Sequence, residues 1–154
     1  MVRSDNPYFQ KFQQFTVFRS FNPKMEPIRR DLYLNRLIER RENGLIKVVT
    51  GIRRCGKSYL LFRLYYEYLL GTGVDASNIL TVPLDDDDFE ELRDRKALGA
   101  YIKQRVTDKG TWFIFLDEVQ MCEGFESVLN GLNRHENLDI MLLEAIQSSF
   151  PPTF

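Results

Sequence analysis

The chain has 154 residues, of which 44% are hydrophobic and 28% charged, so one domain with a buried core is expected. Its formal net charge of −1 provides no global field that would attract nucleic acid or an anionic membrane. No apolar run approaches the ~20 residues of a membrane span. Cys55 and Cys122 are too few for a disulfide framework or a zinc site, so we expect a cytoplasmic protein with reduced thiols.

The first 24 residues differ in composition from the rest of the chain. Phenylalanine occupies every third position from 9 to 21, among Gln, Arg and Asn and without helix caps. This spacing is compatible with a helical stripe that binds a partner. We expect instead a poorly ordered extension over residues 1–24, with translation naturally beginning at Met25.

The first helix is predicted over residues 27–42. Pro27 suits a first helical turn, apolar residues recur at helical spacing, and Asn43-Gly44 supplies a stop. Its arginines interleave with acidic residues. That pattern is typical of a solvated, charge-paired face rather than a nucleic-acid patch.

Residues 47–59, KVVTGIRRCGKSY, contain the most informative pattern. Apart from Lys47, residues 45–49 are apolar and mostly β-branched, as in a buried parallel strand, and residues 59–70 carry apolar side chains at helical spacing. Between them, Gly51, four residues and Gly56-Lys57-Ser58 form the G-x-x-x-x-G-K-[ST] phosphate-binding loop. Glycines let several backbone N–H groups converge on a triphosphate, and the next helix begins with unpaired N–H groups.

This loop predicts ATP contacts residue by residue. The expected nucleotide-binding residues are Gly51, Ile52, Arg53, Arg54, Cys55, Gly56, Lys57, Ser58 and Tyr59. Lys57 is expected on the β- and γ-phosphates, with a catalytic role in neutralising charge, and the Ser58 hydroxyl is expected on Mg²⁺. Cys55 is expected to pack rather than react. The alternative is a chance match in a glycine-containing turn, which the flanking strand and helix disfavour.

A second strand is predicted over residues 78–84, where Pro83 marks the strand end or a sheet edge. Four consecutive acids follow at positions 85–88. Adjacent loop residues do not converge on a metal ion, so we expect a solvated loop there rather than a metal site. It would lead into the N-terminus of a helix over residues 92–106, where negative charge is favourable.

Residues 111–120, TWFIFLDEVQ, indicate a buried strand that ends in Asp117 and Glu118. In P-loop enzymes such a strand carries an Asp that holds the hydration shell of Mg²⁺. An adjacent Glu can accept the proton of the attacking water. We therefore predict Ser58 and Asp117 as metal-binding residues and Glu118 as a catalytic base. A helix over residues 123–134 and a further strand from residue 138 follow.

GIRRCGKS, FLDEVQ and the surrounding pattern resemble the prokaryotic AAA-superfamily P-loop ATPases that carry a C-terminal domain of unknown function. The resemblance covers residues 25–140 and includes both nucleotide motifs. It implies an α/β three-layer sandwich with a mainly parallel sheet, and hydrolysis of ATP with Mg²⁺. In such proteins the strand from residue 138 ends in a polar sensor, and another strand, an arginine-bearing segment and the C-terminal domain follow.

Residues 141–154, MLLEAIQSSFPPTF, depart from the pattern of that family. If one T is inserted after the Ile140 codon, with permitted synonymous codons, the shifted frame reads YVTGSNSKFLSTD, which is similar to a sensor stretch. We therefore expect a fold incomplete at its C-terminus, with a partial ATP-binding domain over residues 25–143 and an out-of-frame tail over residues 144–154. The DNA sequence across residues 139–143 tests this hypothesis. An incomplete sheet would have an open edge, and hydrolysis would be impaired.

Two other functions are compatible with the sequence. One is a non-catalytic nucleotide-binding fragment; the other is an interaction or nucleic-acid-binding module that uses the basic first helix and the Phe-rich segment. A nucleotide kinase is disfavoured because no site for a second substrate is visible. ATP is the expected ligand. Self-association or a protein partner is left open, nucleic acid is not indicated, and no membrane partner is expected.

Overall fold

The computed structural model describes the backbone of residues 12–16, 26–52 and 60–146, and the side chains of residues 32–50 and 63–144. Its strands are β1 (Phe12–Thr16), β2 (Ile46–Ile52), β3 (Ile79–Pro83), β4 (Trp112–Asp117) and β5 (Leu138–Ile146). They form one sheet in the order β1-β2-β5-β4-β3, and all four neighbouring pairs are parallel. The predicted α/β class with a parallel sheet is confirmed.

The helices are α1 (Glu26–Glu39), α2 (Tyr66–Gly71), α3 (Arg95–Arg105) and α4 (Phe125–Leu132). A π-helical segment, Leu60–Tyr65, leads directly into α2. Three 3₁₀ segments complete the described elements: Ala76–Asn78, Asp87–Arg93 and Val119–Met121.

Helices cover both faces of the sheet, which gives the predicted three layers. On one face, buried residues of α3 and α4 such as Leu98 and Leu129 share a core with Ile114 and Leu142 of the strands. On the other face, α1 and the helix that ends in α2 pack on the alternate strand residues, with Tyr65 as the largest fully buried side chain. Coverage of both faces explains why all six residues of β4 are buried.

Two predicted boundaries depend on particular residues. Pro83 is the last residue of β3, and β3 lies at the edge of the sheet, as Pro without an N–H group requires. Helix α3 begins at Arg95 rather than at residue 92 because the Asp94 side chain accepts a hydrogen bond from Ala97 N and caps the helix. The acids at positions 85–88 are exposed and precede that helix, as predicted.

Two strands differ from the sequence expectations. Within the predicted extension over residues 1–24, Phe12–Thr16 forms β1 and pairs with β2, which would otherwise present an open backbone edge. Strand β5 continues to Ile146, past the predicted domain boundary at residue 143, because Met141, Leu142 and Leu143 supply an apolar run that is fully buried. The remaining residues of both predicted segments lie outside the described ranges.

A buried ion pair joins the starts of two central strands, β2 and β5. Lys47 Nζ donates to Asp139 Oδ1, and each side chain is 1% exposed. Asp139 Oδ2 also accepts from the backbone N–H of Glu42 at 2.9 Å, and Lys47 Nζ donates to the Leu45 carbonyl at 3.0 Å. This network ties the turn after α1 to the amino-terminal edge of the sheet.

Candidate functional site

The strands that carry the two nucleotide motifs end at one edge of the sheet. Strand β5 lies between them: Gly51 of β2 is in register with Ala145, and Asp117 of β4 is in register with Leu143. Neighbouring strands lie about 4.8 Å apart and each strand residue rises about 3.3 Å, so two strand spacings and an offset of two residues separate Gly51 from Asp117 by about 12 Å. Ligands of open parallel sheets bind outside the carboxyl ends of the strands, so this edge is the candidate site.

The phosphate-binding loop connects two described elements. Gly51 and Ile52 are the last residues of β2, and the helix after the loop begins at Leu60. The strand and the helix that the motif requires are therefore present on either side. The other predicted nucleotide-binding residues lie outside the described ranges, so their contacts stay predictions: Arg53, Arg54, Cys55, Gly56, Lys57, Ser58 and Tyr59.

Asp117 is the last residue of β4 and is 7% exposed. Side chains alternate between the faces of a strand, so Asp117 follows Phe113 and Phe115 on their face of the sheet. That face is covered by Tyr65 and Leu69, which belong to the helix that follows the loop. Asp117 thus lies on the same side of the sheet as the helix that follows the phosphate-binding loop.

Glu118 follows with an unusual backbone conformation. Its φ of 51° and ψ of 47° are left-handed, which is uncommon for a residue other than Gly and costs of order 1 kcal/mol. The turn redirects the chain from β4 into Val119–Met121 and leaves Glu118 half-buried. Gln120 Nε2 donates a hydrogen bond to Glu118 Oε2. The carboxylate is therefore held in one orientation at the edge and is accessible to water.

Three residues at this edge were not predicted as site residues. Gln120 orients Glu118, and its position two residues further along the same turn is the only sequence signal for that role. Thr50 and Glu144 lie opposite each other on β2 and β5 and are 2% and 5% exposed. The sequence signal for Glu144 is a single acid after an apolar run, at the start of the predicted out-of-frame tail. In the structure, Glu144 is a further buried carboxylate, on the strand between the two motif strands.

Asp117 fits the expected Mg²⁺. A carboxylate oxygen is a suitable ligand, and Mg²⁺ binds through one or two protein groups while keeping several waters. Within residues 32–50 and 63–144, no group of three or more His, Cys, Asp or Glu is arranged to hold a metal ion. An ion at this edge would therefore depend on Asp117 together with the loop. None of the helices in the described part of the chain is both long and apolar enough to cross a membrane.

Comparison with known families agrees with this architecture. A family model described as "AAA domain" matches residues 43–149. The chain belongs to the AAA-domain family. The match begins just before β2 and extends beyond β5, so it includes the loop, Asp117-Glu118 and the central strand. The resemblance to AAA P-loop ATPases is confirmed, and a nucleotide-binding, ATPase-like domain is the general function that this family indicates.

An uncharacterized protein of Haemophilus influenzae is 33% identical to this AAA domain over 116 residues. The aligned segment is 75% of this chain and 29% of that protein, so the chain spans less than a third of the length of the relative it matches. No solved structure matches the chain.

Proposed function

We propose that this AAA domain binds ATP with Mg²⁺ at the carboxyl edge of the sheet and hydrolyses it. One observation carries the proposal: the two strands that lead into the nucleotide motifs, β2 and β4, both pair with β5. Strand β2 leads into G-x-x-x-x-G-K-S, and Asp117-Glu118 lies at the end of β4. Two motifs that lie some 60 residues apart in sequence therefore come to within about 12 Å of each other, from Gly51 to Asp117, at one edge. The same proposal places the protein in the cytoplasm, where ATP is available.

The loop residues bind and orient the triphosphate. Backbone N–H groups of residues 51–59 surround the phosphates, and Lys57 neutralises charge on the γ-phosphate. Ser58 and Asp117 would hold Mg²⁺, which supplies further charge neutralisation at the β- and γ-phosphates. The buried position of Asp117 suits this role, because a carboxylate in a low-dielectric environment interacts more strongly with a cation than one in water.

Glu118 acts as the general base. Its carboxylate accepts a proton from water while the water oxygen bonds to the γ-phosphorus and the bond to the β–γ bridging oxygen breaks. The hydrogen bond from Gln120 keeps the carboxylate aimed at one position. Hydrolysis by this chain is proposed to be slow, because the resemblance predicts a neutral polar sensor at the end of β5, where Glu144 and Ala145 are found.

Thermal unfolding with added Mg-ATP tests the binding step. At a ligand concentration of about 100 Kd, binding stabilises the folded state by about 2.7 kcal/mol, which raises Tm by roughly 5–10 °C in a domain of this size. The Lys57→Ala variant is expected to lose this shift. Lys103→Ala, a substitution of an exposed lysine on α3, is expected to keep it. An unchanged Tm for the native chain at saturating Mg-ATP would refute the proposal.

Single-turnover hydrolysis tests the catalytic step. Glu118→Gln removes the base, so the rate is expected to fall by about 10²–10⁴ while ATP affinity is retained. The control is Glu136→Gln, which changes an exposed glutamate in the turn before β5 and should leave the rate unchanged. Equal rates for the native chain and Glu118→Gln would instead identify a non-catalytic nucleotide-binding domain.

A further inference from the structure

Charge is sharply segregated around the start of α3. Residues 85–94 contain seven acids and one arginine, whereas α3 itself contains four basic residues and no acid. The exposed part of the acidic side is residues 85–91, hereafter the acidic segment, in which every carboxylate residue is exposed. The boundary between the two charged regions coincides with the Asp94 cap.

Three of the four basic residues of α3 have no ion-pair partner in the described part of the chain, whereas the Arg105 guanidinium lies over the Tyr101 ring, 4.2 Å from its centroid. Among the described residues, no carboxylate lies within ion-pair distance of Arg95, Lys96 or Lys103. Arg95 and Lys96 also occupy the first turn, where the positive end of the helix dipole disfavours a cation. Helix stability therefore does not account for their position, and their charges are available to an anionic partner.

These residues form the rim of a groove between α3 and α4, hereafter the basic groove. It has a volume of about 540 Å³. Its floor consists of small residues, including Gly99, Ser127 and Gly131. A Cβ atom at Gly99 would lie 3.4 Å from Val128 Cγ1, so the two helices approach closely there, whereas a Cβ atom at Gly131 would have no neighbour within 4 Å. The groove is open at Gly131 and lined by positive charge.

We propose that the basic groove binds the acidic segment of a second copy of this chain. The acidic segment contains six carboxylates, and the one ion pair that joins it to another described residue, Asp87 with Arg93, is long at 3.8 Å and leaves Asp87 96% exposed. The segment is also preorganised, because the Asp86 carboxylate accepts from Asp88 N and Phe89 packs against the core. Each copy carries both surfaces, so two copies related by a two-fold axis exchange the contact twice.

Sedimentation equilibrium across a range of protein and salt concentrations tests this proposal. We expect a dimer that high salt weakens, because the contact is between charged surfaces. Gly131→Leu places a side chain in the open part of the groove, where its Cβ atom meets nothing within 4 Å, so it should abolish dimerisation and leave Tm unchanged or raised. The matched control is Gly71→Leu, in which the new Cβ atom also has no neighbour within 4 Å but lies on α2; its dimer should persist.

A charge exchange identifies the two surfaces as partners. Lys96→Glu with Lys103→Glu changes the summed charge of the groove from +3 to −1. Asp85→Lys, Asp87→Lys, Glu90→Lys and Glu91→Lys together change that of the acidic segment from −6 to +2; each variant alone should dimerise more than about tenfold less tightly. Mixing the two variants should restore the dimer, because both contacts are then again between opposite charges. A chain that stays monomeric at every concentration overturns the proposal, even if it binds an added acidic peptide, since the groove then has another partner. A dimer that tolerates Gly131→Leu overturns it as well.

Discussion

The two edges of the sheet use buried acids in different ways. At the amino-terminal edge, Asp139 accepts hydrogen bonds from Lys47 Nζ and from Glu42 N, and both charged side chains are enclosed. At the carboxyl-terminal edge, Asp117 and Glu144 are also buried. Glu144 lies on β5, beside the strand that leads into the phosphate-binding loop; Asp117 lies one strand further on, and Glu118 next to it is half-buried. Each edge of the sheet therefore contains at least one buried acidic residue.

The contrast shows which features distinguish a site from a structural ion pair. The amino-terminal acid is neutralised by a cation of the same chain, so it contributes to folding and offers nothing to a ligand. The carboxyl-terminal acids lie beside a left-handed turn that exposes Glu118, at the edge where parallel sheets bind ligands. Substitutions at the first edge should therefore change stability, and substitutions at the second should change activity.

The largest effect is expected for Lys47→Met. This substitution leaves the Asp139 carboxylate buried without its cation, which should lower the free energy of unfolding by about 3–5 kcal/mol, as measured by urea denaturation. Lys47→Met with Asp139→Leu should recover most of the loss, because an apolar pair can replace a buried ion pair. The control is Arg63→Met, which breaks an exposed pair with Glu67 and should cost less than about 1 kcal/mol. A double variant as unstable as Lys47→Met would argue against this role for the pair.

The next largest effect is expected for Asp117→Asn, and it should appear in activity. Loss of the carboxylate charge should slow single-turnover ATP hydrolysis by about 10²-fold, the upper end of what disturbing a metal site costs. The free energy of unfolding should change by less than about 1 kcal/mol, since Asn fits the same space. Asp139→Asn is the matched substitution at the other edge and should show the reverse, with reduced stability. If Asp117→Asn hydrolyses ATP at the native rate, the carboxyl edge is not the catalytic site.

The motifs at the carboxyl edge could be predicted from sequence because their chemistry is local. The G-x-x-x-x-G-K-S pattern requires a strand before it and a helix after it, and both are present at Ile46–Ile52 and Leu60–Tyr65. Likewise, the apolar run before Asp117 corresponds to a strand buried along its whole length. The start of α3 was misplaced by three residues, because the capping hydrogen bond of Asp94 depends on side-chain geometry that composition does not reveal.

Other features depend on residues that are distant in the chain. Lys47 and Asp139 are 92 positions apart, and nothing near either residue indicates its partner. Glu144 was interpreted as part of an out-of-frame tail because it departs from a family pattern, whereas the sheet includes it through pairing with β2. Burial of the apolar run before Glu144 decides its place in β5, whatever the DNA sequence across residues 139–143 shows about the reading frame.

Glu144→Gln tests the effect of the Glu144 charge at the carboxyl edge, and we expect a smaller change than for Asp117→Asn. Glu144 adds negative charge next to β2, and two unit charges about 10 Å apart repel by about 1–2 kcal/mol at an effective dielectric constant of about 20. The Gln variant should therefore bind ATP in EDTA up to about tenfold more tightly, as measured by calorimetry. Glu136→Gln, in an exposed turn, should leave the affinity unchanged. Weaker binding by Glu144→Gln would mean that the carboxylate assists the site rather than opposing the phosphates.

The smallest effect concerns Tyr65, which reports on the amino-terminal edge through its pKa. Burial raises the pKa of the Tyr65 phenol well above its ordinary value of 10.0, and the charge of Asp139 raises it further. Below pH 10 the phenol is protonated in the folded and in the unfolded state. Above pH 10 the unfolded chain loses the proton first, so the free energy of unfolding should fall by about 1.4 kcal/mol per pH unit.

Tyr65→Phe should remove this contribution to the pH dependence of the free energy of unfolding between about pH 10 and 12. At neutral pH the substitution should change the free energy of unfolding by less than about 1 kcal/mol, because the hydroxyl has no hydrogen-bond partner among the described residues. Burial also raises the pKa of the Cys122 thiol, to about 11. Cys122 is present in the native chain and in Tyr65→Phe alike, so its contribution cancels when their free energies of unfolding are compared. Identical slopes for the native chain and Tyr65→Phe would show that the phenol ionises as readily in the folded state as in the unfolded one.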